Sequence, residues 1–280
     1  MLPPGFDPRT LRAVASDLDG TLLDGHTFMP SSRTVAAIAA AEASGIRVIL
    51  ATGRMFQSAR RIAAMLDVHG PIICYQGALV GDTDSGEVLL HTPLDVPLAR
   101  EILHALGPHS RTTNAYVDDE LYVTEVNPES VRYAEIAGVP LHVVGDLAEW
   151  LDRPTTKLVT VGDPCWLDPL RDELQARFGH RAFVAKSLPI FLEFAAPEVS
   201  KSAAMHFLGG RLGFNAEQCV AFGDGENDRD LIAWAGLGVC VANASDRVRG
   251  EADWVVPGVT EDGVAQFLEQ VVAARAAASR

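Results

Sequence analysis

Short, continuous apolar runs alternate along the chain with segments whose apolar positions recur at helical spacing, the pattern of βα units around a parallel sheet. Arg12-Ala13-Val14-Ala15-Ser16 reads as a first strand, and Ser31 or Ser32 can cap a helix through Thr34 to Ser44 that stops at Gly45. Ile46 to Ala51 is a second strand, Phe56 to Leu66 a helix, and Pro71 to Tyr75 a third strand running out into Gln76-Gly77-Ala78. Beyond Asp82 the pattern changes. Ala115-Tyr116-Val117 and Leu121-Tyr122-Val123 alternate on either side of Asp118-Asp119-Glu120, a hairpin signature. Helical stretches near Pro128 to Ala137 and Asp168 to Phe178 enclose a strand at Lys157 to Val161. Buried-strand runs resume at Phe191-Leu192-Glu193-Phe194. A helix from Lys201, strands at Cys219 to Phe222 and Leu237 to Val241, and a last helix near Asp262 to Ala277 follow. The expected fold is α/β, with a doubly wound parallel-sheet core formed by residues 1–81 and 190–280. An inserted α+β unit over residues 82–189 interrupts it.

Composition narrows the function. With 280 residues, 48% hydrophobic and 21% charged, the chain has the make-up of a folded globular protein. A formal net charge of -14 offers no basic face for a nucleic-acid backbone, so no nucleic-acid partner is expected. The same excess repels phosphorylated small molecules, which would need locally gathered positive charge. Cys74, Cys165, Cys219 and Cys240 include no C-x-x-C pair and are expected to be small buried apolar residues. The eight histidines, His26 among them, form no H-E-x-x-H or H-x-H and are expected to be surface or hydrogen-bonded residues. Residues 1–8 lack the features of a signal peptide and no apolar run is long enough to span a bilayer. A cytoplasmic protein with no membrane partner is the expectation, and the oligomeric state is unknown.

The chemistry gathers after strands. Asp17-Leu18-Asp19-Gly20-Thr21-Leu22 follows the first strand and puts two carboxylates at i and i+2, which share a face, while Gly20 lets the chain turn away. A calcium loop fails the count, since Leu22 and Phe28 stand where glycine and an acid belong; a plain turn remains open. Thr52-Gly53-Arg54 after the second strand combines a hydroxyl, a flexible backbone and a guanidinium, suited to phosphate oxygens. Gly223-Asp224-Gly225-Glu226-Asn227-Asp228 puts several oxygen ligands in one loop, suited to a hard cation such as Mg²⁺. Lys201 stands at a helix start, where an anion is already favoured. No G-x-S-x-G elbow and no P-loop is present.

In this order, Asp17-Leu18-Asp19-Gly20-Thr21, Thr52-Gly53-Arg54, Lys201 and Gly223-Asp224 through Asp228 resemble the four motifs of the haloacid dehalogenase superfamily. The resemblance is closest to its Cof-type phosphatases, which carry a large α/β cap. Ala242-Asn243-Ala244 is similar to a further family segment, and the inserted unit lies where the family places its cap. The resemblance implies a phosphatase of small phosphorylated metabolites, such as sugar phosphates or phosphorylated cofactors, that works through an aspartyl-phosphate. Asp17 is then the nucleophile and Asp19 the acid and base, made protonatable by crowding among carboxylates. Thr52, Gly53 and Lys201 bind phosphate; Asp17, the Asp19 carbonyl and Asp224 hold Mg²⁺; Arg54, Asn227 and Asp228 support them. A phosphomutase and a phosphoaspartate receiver use related sites and remain alternatives. Arg111, Asn114, Tyr116, Lys157 and Lys186 are candidate contacts to the leaving group. Glu198 replaces a family glycine and would add negative charge near Lys201; Gln76 replaces an asparagine and Ala242 a glycine.

Overall fold

A computed structural model describes residues 2–25 and 28–278, so His26 lies outside the described residues. The first stretch runs β1 (Ala13–Ser16), α1 (Ser32–Ala43), β2 (Arg47–Leu50), α2 (Phe56–Leu66), β3 (Pro71–Cys74), β4 (Leu79–Asp82) and β5 (Val88–His91). The middle is α3 (Val96–Leu106), β6 (Thr113–Val117), β7 (Glu120–Val123), α4 (Pro128–Ala137), β8 (Leu141–Val143) and α5 (Leu147–Trp150). It continues through β9 (Lys157–Val161), α6 (Pro164–Phe178), β10 (Phe183–Leu188) and β11 (Phe191–Ala195). The last stretch is α7 (Lys201–Leu212), β12 (Cys219–Gly223), α8 (Arg229–Trp234), β13 (Leu237–Val241), α9 (Asp246–Glu251), β14 (Trp254–Val256) and α10 (Gly263–Ala278).

Five strands form a parallel sheet in the order β14-β13-β12-β1-β2, with Ser16 paired to Phe222 on one side and Leu50 on the other. Alternate residues serve opposite faces. Val14, Val48 and Val220 pack into a core with Ile38 of α1 and Phe267 of α10, whereas Ala13, Ala15, Ile49 and Ala221 pack with Met205 and Leu208 of α7. Burial on both faces is why these strands read as unbroken apolar runs rather than alternating ones. Ser31 caps α1 by accepting from the Thr34 N–H, and Asp67 ends α2 in a left-handed conformation.

A second, six-stranded mixed sheet has the order β10-β11-β9-β6-β7-β8. One face packs Leu158 and Phe194 against Ile102 of α3 and Phe178 of α6. Tyr116, Val159 and Val161 on the other face join the core of the first unit. Asp118 and Asp119 form its two-residue hairpin turn with φ of 54 and 60°, the left-handed pair that matches the twist of the strands. The architecture is thus a doubly wound α/β core carrying an inserted α+β cap.

Three expectations need correction. The apolar run at Phe191 is not a strand of the parallel core: β11 lies antiparallel between β9 and β10, and reads as fully buried because it is interior to a sheet covered on both faces. Likewise β3 pairs antiparallel with β4, which pairs with β5, and is joined to the parallel sheet by an isolated bridge from Ile73 to Ala51 rather than by a continuous ladder. The β4–β5 pairing therefore runs across position 82. Cys165, at the start of α6, is exposed, unlike the other three cysteines. Among the described residues no helix is long and apolar enough to cross a membrane.

Candidate active site

The chain leaves β1 towards β2 on one side and returns by β12 on the other, so a crevice opens where strand order reverses, at the carboxyl ends of β1 and β12. Asp17 follows β1 directly and Asp224 follows β12. Lys201, first residue of α7, reaches into the crevice with a fully buried side chain. Its ammonium donates to Asp17 Oδ1 and to Asp228 Oδ1, each at 2.5 Å. Asp228 Oδ2 accepts the N–H groups of Asp224 and Gly225 at 3.0 and 2.9 Å, which folds the loop after β12 back on itself. Thr21 donates its hydroxyl to Asp224 Oδ1 at 2.7 Å.

Close approach explains the glycines. Gly20 has φ of +88°, and a Cβ there would overlap the Asp224 carboxylate, so the sharp turn after Asp19 also makes room for an acid 204 positions later. Its carbonyl accepts from Asn243 Nδ2 at 2.8 Å, and Asn243 Oδ1 in turn accepts from the Val259 N–H at 2.9 Å. The segment after β13 thereby braces the first loop.

Three carboxylates cluster where one ammonium pairs with two of them. Oxygens of Asp17, Asp224 and Asp228 lie within 4.8 Å of one another, and Asp228 is fully buried. Burial first, and then the charge of Asp228, push the Asp17 carboxyl well above the usual carboxylate range despite the pull of Lys201. The same two causes raise Asp224 to about 6. Burial alone would favour a neutral lysine, but Asp17 and Asp228 outweigh it and hold the Lys201 ammonium above its ordinary value. An all-oxygen cluster that carries more negative charge than its lysine can offset suits a hard divalent cation.

The second loop holds two surprises. Arg54 forms a bidentate pair with Asp19, Nε to Oδ2 at 2.7 Å and an Nη to Oδ1 at 2.5 Å. Asp19 stands near Asp17 and Asp224, as expected, but its side chain is 40% exposed and meets a guanidinium, which offsets that crowding. The sequence gives no sign of this partner, which arrives from a different strand. Thr52 is buried, and its Oγ1 accepts the Arg54 N–H at 3.2 Å. Gly53 packs against the Gln76 amide, and Gln76 Oε1 accepts from Asn227 Nδ2 at 3.1 Å. Thr21, Gln76 and Asn243 thus enter the site without having been chosen as site residues.

A family model of haloacid dehalogenase-like hydrolases matches residues 14–268. The chain belongs to this family. The pyridoxal phosphate phosphatase YbhA of Escherichia coli is 29% identical, over 92% of this chain and 98% of that one. The HMP-PP phosphatase of Klebsiella pneumoniae is 27% identical, over 92% and 94%. Among solved structures, TM0651 from Thermotoga maritima superposes with a TM-score of 0.80 at 33% identity, covering 93% of this chain and 97% of that one. Against the pattern of the haloacid dehalogenase-like hydrolases, the departures have visible consequences. Gln76 adopts φ of 60°, a conformation that asparagine takes more readily, and uses its longer reach to meet Asn227. Glu198 is exposed, while the Lys201 ammonium is enclosed between Asp17 and Asp228, so the feared extra charge stays at the surface.

Proposed function

We propose that the protein is a magnesium-dependent phosphatase that hydrolyses small phosphorylated metabolites through an aspartyl-phosphate on Asp17. The observation that carries this reading is the convergence of Asp17, Lys201, Asp224 and Asp228 at one crevice, from three separate chain segments. Asp17 and Asp224 would hold the cation with the Asp19 carbonyl, and Asp228 would set the loop and the lysine. Bound there, Mg²⁺ would offset the negative charge of the phosphoryl group and of the acids around it.

One oxygen of Asp17 is engaged by Lys201, which leaves the other to attack phosphorus. Lys201, the Thr52 hydroxyl and nearby backbone N–H groups bind the equatorial oxygens as charge redistributes. A phosphate monoester presents the same fork of oxygens that Asp19 offers Arg54, so substrate competes for that guanidinium and frees Asp19. Freed and exposed to solvent, Asp19 takes up a proton from water, gives it to the leaving oxygen, and as the carboxylate then takes one from the water that cleaves the aspartyl-phosphate. The names of the relatives, which refer to pyridoxal phosphate and HMP-PP, support a small phosphorylated metabolite as substrate.

A panel of sugar phosphates, phosphorylated cofactors and nucleotides, assayed for released phosphate with and without Mg²⁺, tests this. Metal-dependent release from at least one compound is expected. No release from any, or release untouched by chelation, defeats it.

A further inference from the structure

Lys157 is the first residue of β9, in the cap, with a side chain only 3% exposed. Its ammonium donates to the Gly53 carbonyl at 2.9 Å and to the Glu193 carboxylate at 3.2 Å. The rings of Tyr116 and Tyr75 stand 5.3 and 5.8 Å away. A buried ammonium is costly unless thoroughly partnered, so its placement calls for a reason. The reason is its acceptor: Gly53 sits in the loop after β2, between Thr52 and Arg54, and the bond runs from the cap into the core.

The Gly53–Arg54 peptide is held at both ends. Its carbonyl oxygen accepts a hydrogen bond from the Lys157 ammonium, and its N–H donates to Thr52 Oγ1 at 3.2 Å. A hydroxyl that is already accepting from a backbone N–H turns its own proton to another acceptor. Were this peptide to flip, its carbonyl oxygen would face Thr52 and claim that proton, and a carbonyl dipole would point at the place an anion must occupy. A second cap residue grips the far end of the same loop: Asp119 accepts from the Phe56 and Gln57 N–H groups at 2.9 and 2.8 Å.

We infer that Lys157 is a positioning residue for phosphoryl recognition rather than a contact to the leaving group. From the cap it fixes the Gly53–Arg54 peptide so that Thr52 remains a hydrogen-bond donor to the substrate's phosphoryl oxygens. The inference rests on the reading of Thr52 as a phosphate ligand given above. It separates two roles for one cap lysine: a leaving-group contact helps some substrates and not others, whereas a loop support serves every monoester equally.

The test compares the wild-type protein with Lys157→Met and with the double variant Lys157→Met/Glu193→Gln. The double variant removes the carboxylate charge that loses this counter-ion and so guards against a failure to fold. Each is assayed on p-nitrophenyl phosphate, a sugar phosphate and pyridoxal phosphate, with inorganic phosphate binding measured by calorimetry. Displacing a loop by about an ångström can cost up to roughly 10²-fold. The expected result is a similar loss in kcat/KM, about 10- to 10²-fold, on every substrate that the wild type turns over, with phosphate binding weakened alongside. Loss on one leaving group alone, or unchanged kinetics and phosphate binding in a folded variant, overturns the inference. A wild type that turns over none of the esters defeats the phosphatase reading instead; phosphate binding, equal or unequal between wild type and variant, then still decides the role of Lys157.

Discussion

The two large sheets place their charges differently. In the parallel sheet the buried strands β1, β12 and β13 carry no charged side chain, and after β1 and β12 an acid stands at the first residue, where the chain leaves the ladder. In the inserted sheet Lys157 and Glu193 sit within strands β9 and β11 at 3 and 6% exposure, on the face turned to the core. A strand end frees backbone and side chain together, so a reactive acid can be aimed there without breaking the sheet. A residue paired in the ladder, as Lys157 is with Tyr116 and Glu193 with Val159, has its side chain's direction fixed by the pleat, which suits a charge whose task is to hold something still. On the proposed function, the core unit would supply the groups that react and the cap those that position.

Removing Asp17, the acid proposed to react, tests the first half of this contrast and has the largest expected effect. Asp17→Asn is isosteric and takes away a carboxyl that burial and Asp228 already hold above its usual range. Turnover should drop by about 10⁴-fold or more while the thermal midpoint stays level or rises. Steady-state phosphate release, with mass spectrometry to exclude deamidation, is the measurement. Full activity in the intact asparagine form removes the covalent step through Asp17.

The same contrast explains what could be read before the structure. Strand ends are legible, because an apolar run that stops at Asp17, at Thr52 or at Gly223-Asp224 marks both the edge of the sheet and the chemistry on it. Helix α2 emerges with the expected bounds because its buried positions Ala59, Ile62, Ala63 and Leu66 recur at helical spacing. The cap gave less away. Lys157 opens a strand whose other residues are apolar or threonine, and nothing local says that its ammonium crosses to Gly53. Pairings between distant segments, such as Arg54 with Asp19 or Asn243 with the Gly20 carbonyl, depend on packing that no single stretch encodes. The apolar run at Phe191 misled for a related reason, since burial on both faces looks alike in either sheet.

The acids of the core also make a prediction about pH. Asp224 has a pKa of about 6 in the folded chain and 3.8 as its ordinary value, so between these the native state binds more protons than the unfolded one. Stability from this group is therefore present at low pH and lost as pH rises towards 6, on the order of 3 kcal/mol in all. In metal-free protein, Asp224→Asn should raise the thermal midpoint over wild type by an amount near zero at pH 4 that grows to a plateau above pH 6. Mg²⁺ should stabilise the wild type more at pH 7.5 than at pH 5, because it binds the ionised acids. A difference between variant and wild type that is flat with pH would mean that Asp224 is not desolvated in the crevice.

Asp119 sharpens the second half of the contrast. Met55, at the N-cap of α2, makes no side-chain cap, and the Asp119 carboxylate of the cap hairpin takes that place, with the Tyr75 hydroxyl donating to it at 2.6 Å. Asp119→Ala leaves buried N–H groups without their acceptor and should cost about 2 kcal/mol. A fall of several degrees in the thermal midpoint is expected. An unchanged midpoint would show that the hairpin does not rest on α2 in solution.

The smallest effect is expected at Glu198, where the contrast forecasts indifference. The carboxylate sits three residues before the most important ammonium of the site, and proximity in sequence suggests that it drains positive potential from the crevice. Its side chain is exposed, whereas Lys201 is sealed between two buried acids, and an exposed charge acting through water is strongly screened. Glu198→Gln should then shift stability by less than about 0.5 kcal/mol and leave kcat/KM within about twofold. Measuring kcat/KM at low and at physiological salt separates the cases. A gain in activity that fades as salt is added would show long-range repulsion reaching the substrate, and the core would then depend on its surface charge as well as on its buried acids.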